Sequence, residues 1–300
     1  TYDHRLVDSS RGVTEAIRSN KTTVEQTEAN GLYQFGSDGF SVKGDNNYNS
    51  NGDPFVGYCW RANGGTTATN TSGTTTSTVQ ANQAAGFSIV QYNGSLTSTG
   101  VETIGHGLSS APEFILKKQV NKTGRWYVWH TGSSGANYML ELNTANAQAD
   151  KSGNGNMSLP TSTVFYTNYT EGSNENGYNN VAYCWHGVEG YSKFGSFEGN
   201  SDNDGPFIHT GFKPRLLFIK NIDSTSAWGV YDGERPGFND CDLGAWDETT
   251  GYNNNIGTYP LDIVANGFKL RTSNSTVNSS HTWVYGAWGD VPFKYNNTHP

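Results

Sequence analysis

One spacing, found three times, constrains the fold of this chain more than any other feature of its sequence. Three segments share a register in which Val comes first, Trp comes last and a small apolar residue precedes the Trp: 56–60, 181–185 and 284–288. A phenylalanine lies sixteen residues before each of these valines: Phe40, Phe165 and Phe268. An internal repeat of this kind predicts that its recurring apolar positions form the core of each copy. We therefore predict that these phenylalanines, together with Trp60, Trp185 and Trp288, are buried structural residues.

The stretch between each phenylalanine and its valine is polar and rich in turn-forming residues. It contains segments 44–53, 168–179 and 272–282, which consist mainly of Gly, Asn, Ser and Thr. Gly and Asn tolerate the positive φ angles of tight turns, so strand, polar loop and strand together predict a β-hairpin with an exposed tip.

The second and third copies also correspond in their opening halves. An apolar run that ends in Lys follows Pro112 in one copy and Pro214 in the other, and a strand-like alternation follows that run. The first copy begins only at this last strand, so we expect it to be incomplete. The predicted organisation is a partial module at 1–61, a flexible Gly/Thr/Ser/Asn-rich linker at 62–86, a second module at 87–190 and a third at 191–300.

Composition sets the fold class of these modules. The chain has 300 residues, of which 37 are Gly, 13 % are aromatic and 15 % are charged, which is typical of many short strands joined by turns. The sequence predicts an all-β protein built from tandem modules that resemble β-sandwiches or jelly rolls. A parallel β-helix is the alternative, but its coils are much shorter than the period of roughly a hundred residues found here.

Charge and cysteine content narrow the classes of partner. A formal net charge of −8 argues against nucleic acid, because a phosphate backbone requires clustered Lys and Arg. No apolar run of about 18 residues is present, so we predict no membrane span. Cys59, Cys184 and Cys241 are odd in number, and the first two occupy equivalent places in different modules, so we expect free, buried thiols. We predict neither a metal site nor a cofactor.

Several phrases of the sequence carry a family resemblance that spans nearly the whole chain. They are Val-Glu-Gly-Tyr-Ser-Lys-Phe-Gly at 188–195, Asp-Gly-Pro-Phe-Ile-His-Thr-Gly-Phe-Lys-Pro at 204–214, Asn-Gly-Phe-Lys-Leu-Arg-Thr at 266–272 and the closing segment 286–294. Together they resemble a tandem β-domain family of tailed-bacteriophage tail fibre and appendage proteins, common in marine and cyanobacterial phages. The closing segment has Ala-Trp-Gly-Asp where that family usually has Ala-Phe-Ala-Glu, a conservative departure.

The resemblance implies a structural component of a virion, exposed to the extracellular medium. The expected protein is a tail fibre or a tail or neck appendage that contacts the host cell surface, with other virion proteins and a host surface glycan or receptor as partners. By analogy with phage fibres it also implies a homotrimer. The family brings no catalytic residues, so we expect a protein that is not an enzyme. The alternatives are a polysaccharide depolymerase and a lectin-like surface adhesin.

Four tyrosines in polar, turn-rich segments are the candidate binding residues: Tyr48, Tyr169, Tyr178 and Tyr252. An exposed aromatic ring at such a place can stack on the face of a sugar. The competing interpretation is that each ring packs back onto the edge of its sheet.

Acidic residues in turns provide a second set of candidates. Asp202 and Asp204 alternate as calcium ligands do, but the Glu that completes an EF-hand loop is absent. For these residues and for the acidic residues at 240, 242, 247 and 248 the alternative is a pair of carboxylates for glycoside hydrolysis, but acidic residues in turns are more often solvated. Asp8 with Arg11 and Asp232 with Arg235 recur at equivalent places, where we expect them to stabilise a turn.

Overall fold

The computed structural model describes residues 3–169, 173–233, 244–246 and 260–290, with residues 244–246 described through their backbone alone. Of these described residues 42 % are in strands and 4 % in helices, so the fold is nearly all β. The all-β class predicted from composition is therefore confirmed.

The elements follow one another along the three repeats. The first repeat contains β1 (Arg5–Asp8), β2 (Gly12–Arg18), β3 (Gln26–Thr27), β4 (Leu32–Phe35), β5 (Phe40–Val42) and the short helix α1 (Asn46–Asn49). The next segment contains β6 (Ala68–Asn70) and β7 (Ser77–Asn82). The second repeat contains β8 (Phe87–Asn93), β9 (Val101–Gly105), β10 (Phe114–Gln119), β11 (Tyr127–His130), β12 (Tyr138–Glu141), β13 (Ala149–Asp150), a 3-10 helix (Ser152–Asn154), β14 (Val164–Asn168) and β15 (Asn179–Trp185). The third repeat contains β16 (Ser192–Glu198), β17 (Phe207–His209), β18 (Leu216–Asn221), β19 (Trp228–Asp232), β20 (Gly244–Trp246), β21 (Leu261–Val264), β22 (Gly267–Leu270), α2 (Ser275–Asn278) and β23 (Thr282–Trp288).

These strands form two large sheets and four small ones. The large sheets have the orders β13-β12-β11-β10-β15-β8-β7-β6 and β16-β23-β18-β19-β20, and the small sheets are β1-β2-β3, β9-β14, β17-β22-β21 and β4-β5. In both complete repeats the closing strand, β15 or β23, lies between the opening strand and the apolar strand of its own repeat. Residues far apart in the sequence are thus neighbours in each sheet.

Both faces of the large sheets are buried, because alternate residues of one strand belong to two different cores. Along β15, Val181, Tyr183 and Trp185 face an inner core, whereas Ala182 and Cys184 face an outer one. The inner core contains residues of all three repeats, from Ile17 in β2 to Trp288 in β23. The repeats therefore share one central core.

Each complete repeat has its own outer core as well. The sheet β9-β14 covers the outer face of the second repeat and includes the buried Ile104 and Phe165, and β17-β22-β21 covers the third with Ile208 and Phe268. The inner faces of the three repeats pack against one another in a single core and do not form a separate sandwich within each repeat. The tandem sandwich or jelly-roll organisation therefore stays a prediction. The module boundaries likewise stay a prediction.

The expectation of a flexible linker at 62–86 is wrong. Strands β6 and β7 lie within this segment and extend the sheet of the second repeat, with all six residues of β7 pairing with residues 87–92 of β8. The polar residues of β7 find partners there, since Ser77 donates to the carbonyl of Gly105 and Gln80 is fully buried against Ser9 and Ser10. Composition alone gave no sign of these partners.

The first repeat departs from the other two at the predicted core positions. Residues 56–60 form no strand pairing among the described residues, and Phe40 is 45 % exposed, so its predicted burial is wrong. Cys59 is a free but exposed thiol, which corrects the expectation that the thiols are buried, whereas Cys184 is free and buried and Cys241 lies outside the described residues. In repeats two and three these positions are covered by opening strands that have no counterpart among the described residues of the first repeat.

Candidate functional site

Three tryptophans, one from the end of each closing segment, meet in the inner core. The ring centroids of Trp60 and Trp185 are 5.7 Å apart, those of Trp60 and Trp288 5.6 Å, and those of Trp185 and Trp288 6.0 Å. The interplanar angles are 69°, 73° and 71°, so all three contacts are edge-to-face. Trp185 and Trp288 are buried and Trp60 is half-buried. The three contacts are nearly equal in distance and angle, so the triad joins each repeat to both of the others in the same way.

A second set of contacts follows the same cyclic order. In each, the closing segment of one repeat meets the end of β1, β11 or β19 in another, the three equivalent strands that we call the Trp strands after Trp129 and Trp228. The Tyr183 hydroxyl donates to Asp8 Oδ2 at 2.6 Å, the Tyr58 hydroxyl donates to Asp232 Oδ2 at 2.8 Å, and His130 Nε2 lies 3.0 Å from the carbonyl oxygen of Tyr285. Every repeat therefore contacts both of the others.

Buried lysines join consecutive repeats. Lys118 Nζ donates to the carbonyl oxygen of Thr22 in the first repeat, and Lys220 Nζ donates in the same way to that of Ala145 in the second. Both side chains are fully buried, and burial lowers the pKa of Lys118 to about 8 and that of Lys220 to about 7. The sequence drew attention to a Lys after each apolar run, but the sheet register makes Lys118 and not Lys117 the equivalent of Lys220.

Asp8 is the centre of a charged network at the junction of the first two repeats. Its Oδ1 accepts from the backbone N–H groups of Ser10 and Arg11, and its Oδ2 lies 2.5 Å from Arg11 Nε. The turn is therefore stabilised as predicted for this pair. Burial raises the pKa of Tyr183 far above its ordinary value, so its hydroxyl stays protonated and donates to Asp8. Arg235, from the corresponding pair, lies outside the described residues.

Of the four tyrosines predicted to bind glycans, Tyr48, Tyr169 and Tyr178 lie within the described residues. The Tyr48 hydroxyl donates to Glu28 at 2.6 Å, and the Arg5 guanidinium lies 5.8 Å from its ring. Burial, reinforced by Glu28, raises the pKa of Tyr48. Tyr178 is half-buried with the Lys122 ammonium 4.9 Å from its ring centroid.

Tyr169 is also half-buried, and Tyr252 lies outside the described residues. The structure thus places cations beside two of the candidate rings. Sugar stacking by any of the four tyrosines stays a prediction.

The acidic turn at 202–205 is organised by hydrogen bonds. Asp202 Oδ1 accepts from the N–H of Asp204, whose carboxylate lies 2.8 Å from Lys269 Nζ. Within the part of the chain that the structure describes, no group of three or more His, Cys, Asp or Glu side chains is placed to hold a metal ion. The acids at 240, 242, 247 and 248 lie outside that part.

Buried asparagines, which sequence reasoning missed, bind the hairpin tips to the body. Asn278 Nδ2 donates to the carbonyl oxygens of Asp202 and Thr272, and Asn174 Nδ2 donates to Glu102. Both asparagines are fully buried. The tips of repeats two and three are therefore partly buried, and not wholly exposed as predicted. The signal was faint, because both residues lie in stretches already rich in Asn.

A polar groove of about 310 Å³ lies where the first repeat meets the sheet of the second. Its lining includes Arg11 and Glu25 of the first repeat, Thr78 of β7, and Gln91 and Asn93 of β8. Arg11 is already paired with Asp8 and Glu25, whereas Thr78 and Asn93 are exposed. Amide and hydroxyl groups thus dominate the accessible wall.

A second surface feature is the apolar patch formed by Tyr33, Phe35, Phe40 and Val56, which we call the open face. Each of these side chains is between 39 % and 49 % exposed. The valines equivalent to Val56 are fully buried in the other two repeats, as are Phe165 and Phe268, which correspond to Phe40. No helix in the described ranges is long and apolar enough to cross a membrane.

Comparison with known families identifies one match, which extends over all three repeats. A family model described as a domain of unknown function (DUF7483) matches residues 1–292, so the chain belongs to that family. No curated protein and no solved structure matches the chain.

Proposed function

We propose that this protein is a structural component of a phage virion, a tail fibre or appendage protein that contacts the host cell surface. The observation that carries the proposal is the threefold set of equivalent contacts, in which Trp60, Trp185 and Trp288 join three repeats into one body. Such a body suits a displayed protein, because it holds peripheral loops in fixed positions. The sequence resemblance to phage appendage proteins supports the same role.

The placement of the buried charged groups also favours a structural role. Asp8, Arg11, Lys118 and Lys220 all bind protein groups at junctions between repeats. These side chains bind other protein groups and hold the repeats together, as expected of a structural protein.

The partner in this proposal is a glycan of the host envelope, and the polar groove is its docking place. Amide and hydroxyl side chains such as Thr78, Gln91 and Asn93 provide the donors and acceptors that sugar hydroxyls need. Tyr178 and the other candidate tyrosines remain proposed stacking residues. Assembly into a homotrimer is part of the same proposal and rests on analogy with phage fibres.

Gold-labelled antibody raised against the purified protein tests the virion assignment. Particles of a phage that encodes the chain should bind gold at a tail or neck appendage in electron micrographs. An antibody against the major capsid protein serves as the positive control. Intact particles that bind the capsid antibody and no antibody against this chain would refute the assignment.

Binding to immobilised envelope polysaccharides tests the groove. The double change Gln91→Ala with Asn93→Ala should weaken binding roughly 5- to 150-fold, since each of the two lost hydrogen bonds contributes roughly 0.5–1.5 kcal/mol. Ser98→Ala, at an exposed position outside the groove lining, is the matched control. Release of new reducing ends from the polysaccharide would favour the depolymerase alternative. Light scattering tests the trimer, which should have three times the 32.6 kDa chain mass.

A further inference from the structure

The Trp strands of the three repeats differ in the number of their partners. Strand β11 pairs with β10 and β12, and β19 pairs with β18 and β20. Strand β1, which occupies the same place in the first repeat, pairs with β2 alone among the described residues. One edge of β1 therefore presents main-chain donors and acceptors to no described strand, and such an edge accepts an added strand.

The closing segment 56–60 is placed for the same missing partner. Tyr58 and Trp60 occupy the inner positions that Tyr183 and Trp185 occupy in the second repeat, since Tyr58 binds Asp232 and Trp60 joins the triad. The other two positions, the inner position of Val56 and the outer position of Cys59, differ. Val56 is 49 % exposed and Cys59 is exposed, whereas Val181 and Cys184 are fully buried. The segment is thus held through Tyr58 and Trp60, while Val56 at its inner face and Cys59 at its outer face are uncovered.

The complete repeats identify what covers these positions. In the second repeat β10 lies between the Trp strand β11 and the closing strand β15 and is antiparallel to both, and β18 does the same in the third repeat between β19 and β23. Both inserted strands are six residues long, fully buried, apolar at their first three positions, and carry the junction lysine at the fifth position. The interface is therefore already present twice in this molecule.

We propose that the open face and the free edge of β1 are the docking site for an extended polypeptide strand with the sequence pattern of β10 and β18. The strand inserts between β1 and residues 56–60, pairs antiparallel with both, and covers Phe40, Val56 and Cys59. This is strand addition, in which main-chain hydrogen bonds give affinity and alternate side chains give specificity. The proposal does not depend on the virion assignment.

A fusion measures the effect directly. A second copy of residues 192–227, which contains β16, β17 and β18, is joined ahead of Thr1 in the full chain, with Cys241→Ser so that labelling reports on Cys59 and the buried Cys184. Docking should slow maleimide labelling of Cys59 at least about tenfold relative to the unfused chain, because Cys59 then reacts only while the docked strand is transiently detached. Amide exchange in 56–60 and β1 should slow in parallel. The control fusion carries Leu217→Pro and Ile219→Pro in the added copy, since proline removes ladder hydrogen bonds.

A free peptide of residues 213–222 provides a second arm that does not depend on folding of the fusion. Added in excess to the unfused chain, it should protect Cys59, and the doubly proline-substituted peptide should not. Equal labelling rates with and without both fusion and peptide would overturn the proposal. It would also be overturned if the unfused chain formed an oligomer in which Cys59 is already protected, because a second copy would then cover the face.

Discussion

Replacing Tyr183 with Phe removes one hydroxyl from the junction of the first two repeats and leaves the ring in place. The hydroxyl donates to the charged Asp8 carboxylate at 2.6 Å, and both residues are buried. A hydrogen bond to a charged group contributes roughly 1.5–3 kcal/mol. Asp8 keeps Arg11 and two backbone N–H groups after the change, so no orphaned charge adds to the loss. We expect the free energy of unfolding to fall by about 2 kcal/mol.

Urea unfolding and calorimetry measure this loss. For a chain of this length the unfolding entropy of about 2.1 cal/mol/K per residue converts 2 kcal/mol into a Tm decrease of roughly 3 °C. Tyr92→Phe is the matched control, because the equally buried Tyr92 hydroxyl donates to the neutral carbonyl of Ser173, and its loss should be about 1 kcal/mol. A double-mutant cycle with Asp8→Asn should show a coupling of at least about 1 kcal/mol. Additivity of the two changes, or a smaller effect than that of Tyr92→Phe, would refute the reasoning.

Three further changes probe the repeat architecture. Gly94→Ala and Gly199→Ala should each cost roughly 1–3 kcal/mol in urea unfolding, because a Cβ there would lie 2.1 Å and 2.0 Å from backbone carbonyl oxygens, while Gly44→Ala, with open space around it, should cost less than about 0.5 kcal/mol. Burial lowers the pKa of His130 to about 4, below the unfolded value of 6.5, so the unfolded state alone binds the proton between these values and stability should fall on acidification from pH 6.5 to pH 4, by roughly 3 kcal/mol at the lower limit. A stability profile with the same slope in His130→Asn would contradict that assignment. Trp60→Ala should lower the free energy of unfolding by roughly 2–3 kcal/mol, since two edge-to-face contacts and half-buried area are lost, and Trp60→Phe should recover part of it.

The sequence predicted the strands but not their neighbours. Apolar positions at fixed spacing identify β15 and β23 and the burial of Phe165 and Phe268, because a strand's own residues determine which faces are apolar. The same spacing failed for Phe40 in the first repeat, since burial depends on a covering strand elsewhere in the chain. Local pattern determines what a segment can bury, and topology determines whether anything buries it.

The opening strands show a second limit of prediction from sequence, which is the choice of equivalent residues. Sequence comparison of the two opening strands, 87–94 and 194–199, aligns Phe87 with Phe194, yet cross-strand pairing makes Ile89 the equivalent of Phe194. Ile89 faces Tyr183, whereas Phe194 faces Gly286, so the large residue has moved to the opposite strand. A Cβ at Gly286 would lie 3.2 Å from the Phe194 ring, which explains why the exchange is reciprocal. Such compensation keeps the core volume constant and is invisible until the register is known.

The contacts between the repeats keep their geometry but use different residues. A difference in the closing segment is matched by a difference in the Trp strand that it contacts. The third repeat has Gly286 where the second has Tyr183, so no hydroxyl is available to donate to the Trp strand that it contacts. At that contact the Trp strand ends in His130 where the first repeat has Asp8. Because His130 Nδ1 accepts from the N–H of Gly132, Nε2 carries the proton and donates to the carbonyl of Tyr285. Acceptor and donor have exchanged sides. Both differences can be read from the sequence, but positions 130 and 286 are far apart in it. Only the cyclic order of the repeats shows that the two residues belong to the same contact and compensate each other.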